Sequence, residues 1–380
     1  MEHPAFLLTN SQRECLGLPM VEDTWEWVKL KPSPYEKEGE TWACFDGDVI
    51  RRAVTVGPEI YAESCYAEQT TEDRTLLLPR TARGKAKKLS AVTLGERKPY
   101  GMSLAYRGRY PTLLLANCDT QQVYYSDCME HRRVRTFGDF CAWLDRWRLE
   151  TTPADQADIA AFAAAKRQHV KFREGDFFRF KVGRRHYGYG RILLDYERMR
   201  KAKEPFWDIL MGKPLVVKVY HLVTEDAKVT PGELKKLPAL PSQFMMDNDL
   251  FYGNYPVIGS LPLENQELDC PIMYGGSISM RDAGKGRVLF QCGRIFREKV
   301  GREVLHGNFR NNGIGTGLHI HRCLWEDCIA AGSNAPLWAQ SQDIYYLRTD
   351  LRNPAYRREL QEVCRQFDLR ADHLPILLEP

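Results

Sequence analysis

The sequence predicts an α+β fold that is mostly β, in two domains, each an antiparallel sheet or partly closed barrel covered by a few helices. The chain has 380 residues, more than one compact core of usual size normally holds. Runs of alternating or β-branched residues occur on both sides of two helical patterns, without a regular strand-helix alternation. We place an N-terminal domain of unknown role at 1–150, a helical connector at 151–169 and a β-rich domain with a C-terminal helix at 170–380.

The first domain opens with strand signals. The segment "TWEWVKLK" (24–31) alternates between apolar and polar residues. Asp46 and Gly47 lie between two β-rich runs, which predicts a hairpin because glycine reaches positive φ at little cost. Residues 112–126 predict a second hairpin that turns at 117–120.

Two helices follow these strands. Thr136 is a suitable N-cap for the first, with Asp139 three residues on, and apolar residues recur at helical spacing as far as Trp147. The second begins with Thr152 as N-cap and Pro153 in the first turn. We interpret the second helix as a connector between domains, with packing onto either domain as the alternative.

Strand signals return at residue 171. "GDFFRFKV" alternates, and "HYGYGRILL" is predicted to return beside it across Gly183 and Arg184. Residues 214–223, "PLVVKVYHLV", have the composition of a buried strand. Later strand candidates are "YPVIGSLPL", "GRVLFQCGRIF" and "LHIHRCLW". A final helix is predicted after Asn353, with Leu360 and Val363 on its inner side.

The composition excludes only a few classes of function. A formal net charge of +4 is small for this length and favours no class of partner. The eleven cysteines form no Cys-x-x-Cys pair, which does not fit a secreted disulfide framework. We find neither a signal-peptide pattern nor an apolar run long enough for a membrane span, so the expected location is the cytoplasm and no membrane partner is predicted.

The segment "YGYG" places two glycines within one predicted strand of the second domain. Gly188 and Gly190 are two residues apart, so both point to one face, where a strand, a helix or a ligand can approach closely. Tyr187, Tyr189 and Arg191 share the opposite face. They either pack on the outer side of a kinked strand or form a surface for a ligand or partner.

The stretch "KFREGDFFRFKVGRRHYGYGRIL" (171–193) resembles the start of the immunity protein 26 family of bacterial polymorphic-toxin systems. The shared features are a lysine-rich lead, Gly175-Asp176 before an aromatic strand, a short turn, and Tyr-Gly-Tyr-Gly-Arg. With "PLVVKVYHLV" and "YPVIGSLPL", the resemblance covers about 171–300. It implies a β-rich antitoxin that binds and neutralises a cognate protein toxin. Some relatives carry a phosphotriesterase label, so an enzyme remains the alternative.

The binding prediction follows from this resemblance and from residue type. Aromatic and arginine side chains are favoured as interface anchors, and "GRIFREKVGRE" is rich in arginine. The predicted binding residues are Tyr187, Tyr189, Arg191, Arg294 and Arg297.

A metal-dependent phosphotriester hydrolase would use a different site. His319, His321 and Cys323 alternate and would share one face of a strand, where a metal could activate water. Asp327 or His306 could complete such a site. Because a second histidine pair and an alternating barrel pattern are missing, we predict no metal, no cofactor and no catalytic residue, and the question of enzyme activity stays open.

Residues 80–98 form a basic segment with seven basic residues and one acidic residue. The predicted basic patch consists of Arg80, Arg83, Lys85, Lys87 and Lys88. It could contact phosphates, a nucleic acid or an acidic partner, or be a solvated loop. Because no aromatic residues alternate with its lysines, nucleic acid is not the favoured partner.

Overall fold

The computed structural model describes residues 3–32, 34, 39–77, 80–109, 112–129, 134–207, 212–276, 286–301, 303–306, 318, 322–343 and 347–377. The chain divides into two compact units, Met1–Gln168 and His169–Pro380. Both units combine antiparallel sheets with helices, so the predicted mostly-β α+β class is confirmed.

The first unit is built on a seven-stranded antiparallel sheet. The strands of the unit are β1 (Glu26–Lys29), β2 (Glu40–Asp46), β3 (Val49–Gly57), β4 (Ile60–Gln69), β5 (Thr75–Leu76), β6 (Lys87–Lys88), β7 (Tyr100–Arg107), β8 (Thr112–Asn117) and β9 (Gln122–Ser126). The sheet order is β1-β2-β3-β4-β7-β8-β9, while β5 pairs with β6. Both predicted hairpins are confirmed, and Gly47 has the positive φ, +57°, that the first turn requires.

Helices cover this sheet. They are α1 (Asn10–Cys15), α2 (Ala91–Gly95), α3 (Phe137–Glu150) and α4 (Pro153–Ala163). Thr136 and Thr152 cap α3 and α4 as predicted, each in a capping box with an aspartate three residues on. Helix α3 buries Phe140, Trp143 and Trp147 against the sheet.

Helix α4 packs within the first unit. Its Ile159 is 2% exposed and belongs to the same apolar cluster as α3. The side-chain amide of Asn117 donates to the carbonyls of Phe162 and Ala163, at 3.2 Å each. These contacts hold the end of α4 against β8.

The second unit contains a five-stranded and a three-stranded antiparallel sheet. Its strands are β10 (Asp176–Lys181), β11 (Tyr187–Asp195), β12 (Pro214–Thr224), β13 (Gln243–Met246), β14 (Val257–Ser260), β15 (Ile272–Gly276), β16 (Arg287–Cys292) and β17 (Ile295–Val300). The orders are β13-β12-β11-β10-β14 and β15-β16-β17. Both sheets are open within the described ranges, so they match the sheet form of the prediction rather than the barrel form.

In its described part, the second unit has six α-helices. They are α5 (Tyr196–Lys201), α6 (Pro231–Leu234), α7 (Asn248–Phe251), α8 (Arg322–Ala331), α9 (Ala335–Ala339) and α10 (Arg357–Gln366). Asn353 caps a short turn ahead of α10, and α10 buries Leu360 and Val363 as predicted.

The strand predicted at "LHIHRCLW" is wrong from Arg322 onward, where α8 begins. Leu324, Trp325 and Cys328 lie on one side of α8 and are buried, so helical periodicity overrides the short alternation that precedes it. Cys323 therefore lies on a helix. His319 and His321 lie outside the described residues.

Candidate binding sheet of the second unit

Strand β11 lies at the centre of the five-stranded sheet, and its glycines face bulky aromatic rings. Gly188 pairs with Phe180 across the sheet, and Gly190 pairs with Phe178. A β-carbon on Gly188 would overlap Phe180 and Trp325, and one on Gly190 would overlap Phe178. Two phenyl rings of β10 and the indole of Trp325 on α8 therefore occupy the space that the missing glycine side chains leave.

These rings form an ordered aromatic layer. Phe180 stacks on Trp325 with centroids 6.0 Å apart, and Phe178 stacks on Tyr255 at 5.9 Å. The Trp325 indole nitrogen donates to the carbonyl of Tyr220 on β12 at 3.1 Å. Helix α8 is thus attached to the sheet by both packing and a hydrogen bond.

The opposite face of β11 carries Tyr187, Tyr189 and Arg191, as the strand register requires. Tyr189 is fully buried, and its hydroxyl donates to the carbonyl of Asp226 at 2.5 Å. Tyr187 is half-buried at the hairpin end of the strand. The guanidinium carbon of Arg179 lies 4.8 Å from the centre of the Tyr187 ring, a cation–π geometry.

Arg191 is fully buried and binds the segment that follows β14. Its guanidinium donates to the carbonyls of Leu261 and Pro262 at 2.8 and 2.9 Å, and it forms an ion pair with Glu267. The guanidinium carbon also lies 4.5 Å from the centre of the Phe177 ring. A buried cation needs such partners to offset its lost hydration, so Arg191 positions the 261–267 segment on the sheet.

Lys218 on β12 is the cross-strand partner of Arg191 on β11, and it is also buried. Burial lowers the pKa of Lys218 by disfavouring the charged amine, although nearby Glu267 opposes this effect. Burial alone would raise the pKa of Glu267. A backbone hydrogen bond at Glu264 and the charges of Arg191 and Lys218 nevertheless hold that pKa below its ordinary value. The anionic form of Glu267 is therefore the stable one between these two cations.

Arg294 and Arg297 lie in another part of the unit. Arg294 forms ion pairs with Glu204 at 2.6 Å and Glu174 at 3.0 Å. Exposed Arg297, on edge strand β17, donates to the neighbouring Phe296 carbonyl at 2.8 Å.

Two of the predicted binding residues, Tyr187 and Arg294, lie near opposite ends of β11. Glu174, the partner of Arg294, also accepts from the backbone amide of Asp195, at the end of β11 opposite Tyr187. Tyr187 and Asp195 are eight residues apart along an extended strand, which corresponds to about 26 Å. Contact between the five predicted binding residues and a partner stays a prediction.

Arg179 is a candidate that the sequence prediction did not include. It holds the Tyr187 ring and donates to the carbonyl of Ala227 at 2.5 Å. The alternation of "GDFFRFKV" already placed Arg179 on the face opposite Phe178 and Phe180, so this signal could have identified it.

The alternative metal site is largely outside the described residues, because His319 and His321 are. Of the other suggested ligands, His306 lies 2.9 Å from a carboxylate oxygen of Glu362. No group of three or more potential metal ligands occurs in the part of the chain that the structure describes.

The five residues of the predicted basic patch lie on and between β5 and β6 of the first unit. Arg80, Arg83, Lys85 and Lys88 are exposed, and Lys87 forms an ion pair with Glu96. Among the described helices, none is long and apolar enough to cross a bilayer.

Comparison with known proteins gives one family. No curated protein and no solved structure matches the chain. Residues 173–281 match the family model described as Immunity protein 26. The matched range contains the whole five-stranded sheet, the two glycines of β11 and the 261–267 segment that Arg191 holds. The match confirms the resemblance seen in the sequence, and over residues 173–281 the chain is similar to immunity protein 26.

Proposed function

We propose that the second unit is an immunity-type domain that neutralises a cognate protein toxin by direct contact. The observation that carries this proposal is the family match over 173–281, because the match coincides with a complete sheet and its connecting segments. A bacterial polymorphic-toxin system and action in the cytoplasm belong to the same proposal.

The proposed mechanism is occlusion of the toxin's active site. Binding of this kind depends on a few rigid anchors that lose little conformational freedom on association. Tyr187 is the anchor we favour, because it is partly accessible and its ring is already held by Arg179. Such a mechanism needs no catalytic group and no cofactor from this chain.

Two buried residues of β11 hold the strand that carries Tyr187 in place. Tyr189 ties β11 to the loop after β12 through the Asp226 carbonyl, and Arg191 ties it to the 261–267 segment. A contact surface on a strand fixed from both sides is preorganised for binding. In this proposal Tyr189 and Arg191 are positioning residues, and Arg294 and Arg297 would form a separate contact region.

Co-expression with the toxin encoded beside the chain's gene tests the proposal. Cells producing the toxin should grow only when the chain is also produced, and the two proteins should co-purify. If the chain neither binds the toxin nor restores growth, the proposal is wrong.

A further inference from the structure

The first unit carries a cationic hairpin outside the region that matches the immunity family. In its described part, β5 and β6 pair through Thr75 with Lys88 and Leu76 with Lys87. The tip is a tight turn, since the Thr81 amide donates to the Lys85 carbonyl at 2.8 Å and the Lys85 amide donates to the Thr81 hydroxyl at 3.0 Å. Gly84 supplies the positive φ, +75°, that this turn needs.

Three of the four exposed cations of the hairpin lie at its tip, and the fourth is Lys88 on β6. Near its base, Arg74 pairs with Glu26 at 2.5 Å, and Lys87 pairs with Glu96. Arg80, Arg83 and Lys85 are exposed at or next to the turn; we call these three residues the tip cations. Within the described ranges, no carboxylate forms an ion pair with them.

The rest of the first unit has the opposite charge. Residues 1–168 contain 23 Lys and Arg against 24 Asp and Glu, a net charge of −1. Residues 75–88 contribute five basic residues and no acidic residue, so the remainder holds 18 basic and 24 acidic residues, a net −6. The hairpin is therefore a local positive site on an acidic unit.

We infer that the tip cations bind an acidic polypeptide segment, a short run of Asp and Glu side chains. A carboxylate run can pair with exposed guanidinium and ammonium groups over the width of one turn. A nucleic acid would extend its phosphates beyond the turn, toward a surface with net negative charge, which opposes binding. The segment from Arg80 to Lys88 also has no aromatic side chain on which a base could stack.

A labelled twelve-residue glutamate peptide is a suitable probe for the full-length chain. Fluorescence anisotropy at low salt should show binding that weakens as salt screens the charges. Replacing the tip cations in the variant R80Q/R83Q/K85Q should weaken binding by about tenfold or more, given three lost charge contacts. The matched control R146Q/R148Q/K166Q removes three exposed charges from α3 and from the segment after α4, and it should change the affinity less than about twofold.

Unchanged melting temperatures of both variants would show that only the surface was altered. The inference is overturned if the peptide does not bind, or if both variants lose affinity equally, since either result removes the special role of the tip. It is also overturned if a twelve-base-pair DNA duplex binds more tightly than the peptide. None of these results depends on the toxin proposed for the second unit.

Discussion

The α-carbon of Gly188 on β11 lies against the indole ring of Trp325 on α8, so closely that one added methyl group would overlap the ring. Phe180, the strand neighbour of Gly188, stacks on the same indole at an interplanar angle of 17°. The Tyr-Gly-Tyr-Gly segment therefore fits a helix and two phenyl rings to one face of the sheet, and leaves its tyrosines on the other face.

Replacing Gly188 with alanine should destabilise the protein. The added methyl group must displace Trp325 or Phe180 in a packed core, and overpacking of this kind costs about 1–3 kcal/mol. Urea unfolding followed by tryptophan fluorescence should show a lower midpoint for G188A.

Gly232 on α6 is the matched control, because a β-carbon there meets no atom within 4 Å. G232A should be neutral or stabilise by up to about 1 kcal/mol, as for glycine in a helix. Equal midpoints for G188A and the unmodified protein would contradict the close packing described for β11.

Removing the Glu63 charge should destabilise the first unit strongly. Glu63 is fully buried, pairs with Arg13 at 3.0 Å and Arg52, and accepts the Tyr61 hydroxyl at 2.5 Å. Glu63→Gln leaves two buried guanidinium groups without their anion, which costs about 3–5 kcal/mol.

Exposed Glu40, which pairs with Lys29 at 2.5 Å, provides the comparison. Glu40→Gln should change the free energy of unfolding by less than about 1 kcal/mol, because the pair is solvated. Similar urea midpoints for the two variants would rule out a central role for the buried cluster.

Alkaline pH should destabilise the second unit through buried Cys270. Burial raises the pKa of the Cys270 thiol from 9.0 to about 12. Between these values the unfolded chain loses the thiol proton while the folded chain keeps it, so the contribution of this thiol to stability, complete below pH 9, falls as pH rises.

Comparing Cys270→Ala with the unmodified protein isolates this effect. From pH 8 to pH 10 the unmodified protein should lose about 1.4 kcal/mol more unfolding free energy than C270A does. Equal losses in urea titrations at the two pH values would show that Cys270 does not titrate as described.

The sequence predicted the elements whose signals are local. Capping by Thr136 and Thr152 and the turn at Gly47 depend on neighbouring residues alone, and all three are confirmed. The partner of Gly188 could not be predicted, because Trp325 is 137 positions away and tertiary packing selects it. The strand assigned to Cys323 failed for a related reason, since a short alternation is ambiguous until helical burial beyond it is known.

The candidate binding residues show the same limit. The alternation of "YGYG" correctly placed Tyr187, Tyr189 and Arg191 on one face, but it could not show that Tyr189 and Arg191 are covered by segments 35 or more positions away. Periodicity gives the face on which a side chain lies, whereas burial depends on what packs there.

Truncating Tyr187 should weaken toxin binding if this residue is the anchor we propose. Tyr187→Ala removes the accessible ring held by Arg179, and loss of an aromatic anchor typically weakens binding by about 10- to 100-fold. Tyr100→Ala, which truncates a tyrosine 41% exposed in the first unit, should bind the toxin normally. Equal affinities of the two variants, measured by calorimetry with the neighbouring toxin, would exclude Tyr187 as an anchor.

The most direct test of neutralisation by contact is to titrate the purified toxin with the purified chain and follow toxin activity. Occlusion predicts that activity falls in proportion to the chain added and is fully lost near equal molar amounts, because each toxin molecule needs one bound chain. Complete loss at a small fraction of equimolar would mean that the chain turns over the toxin as an enzyme, and that result would contradict the account.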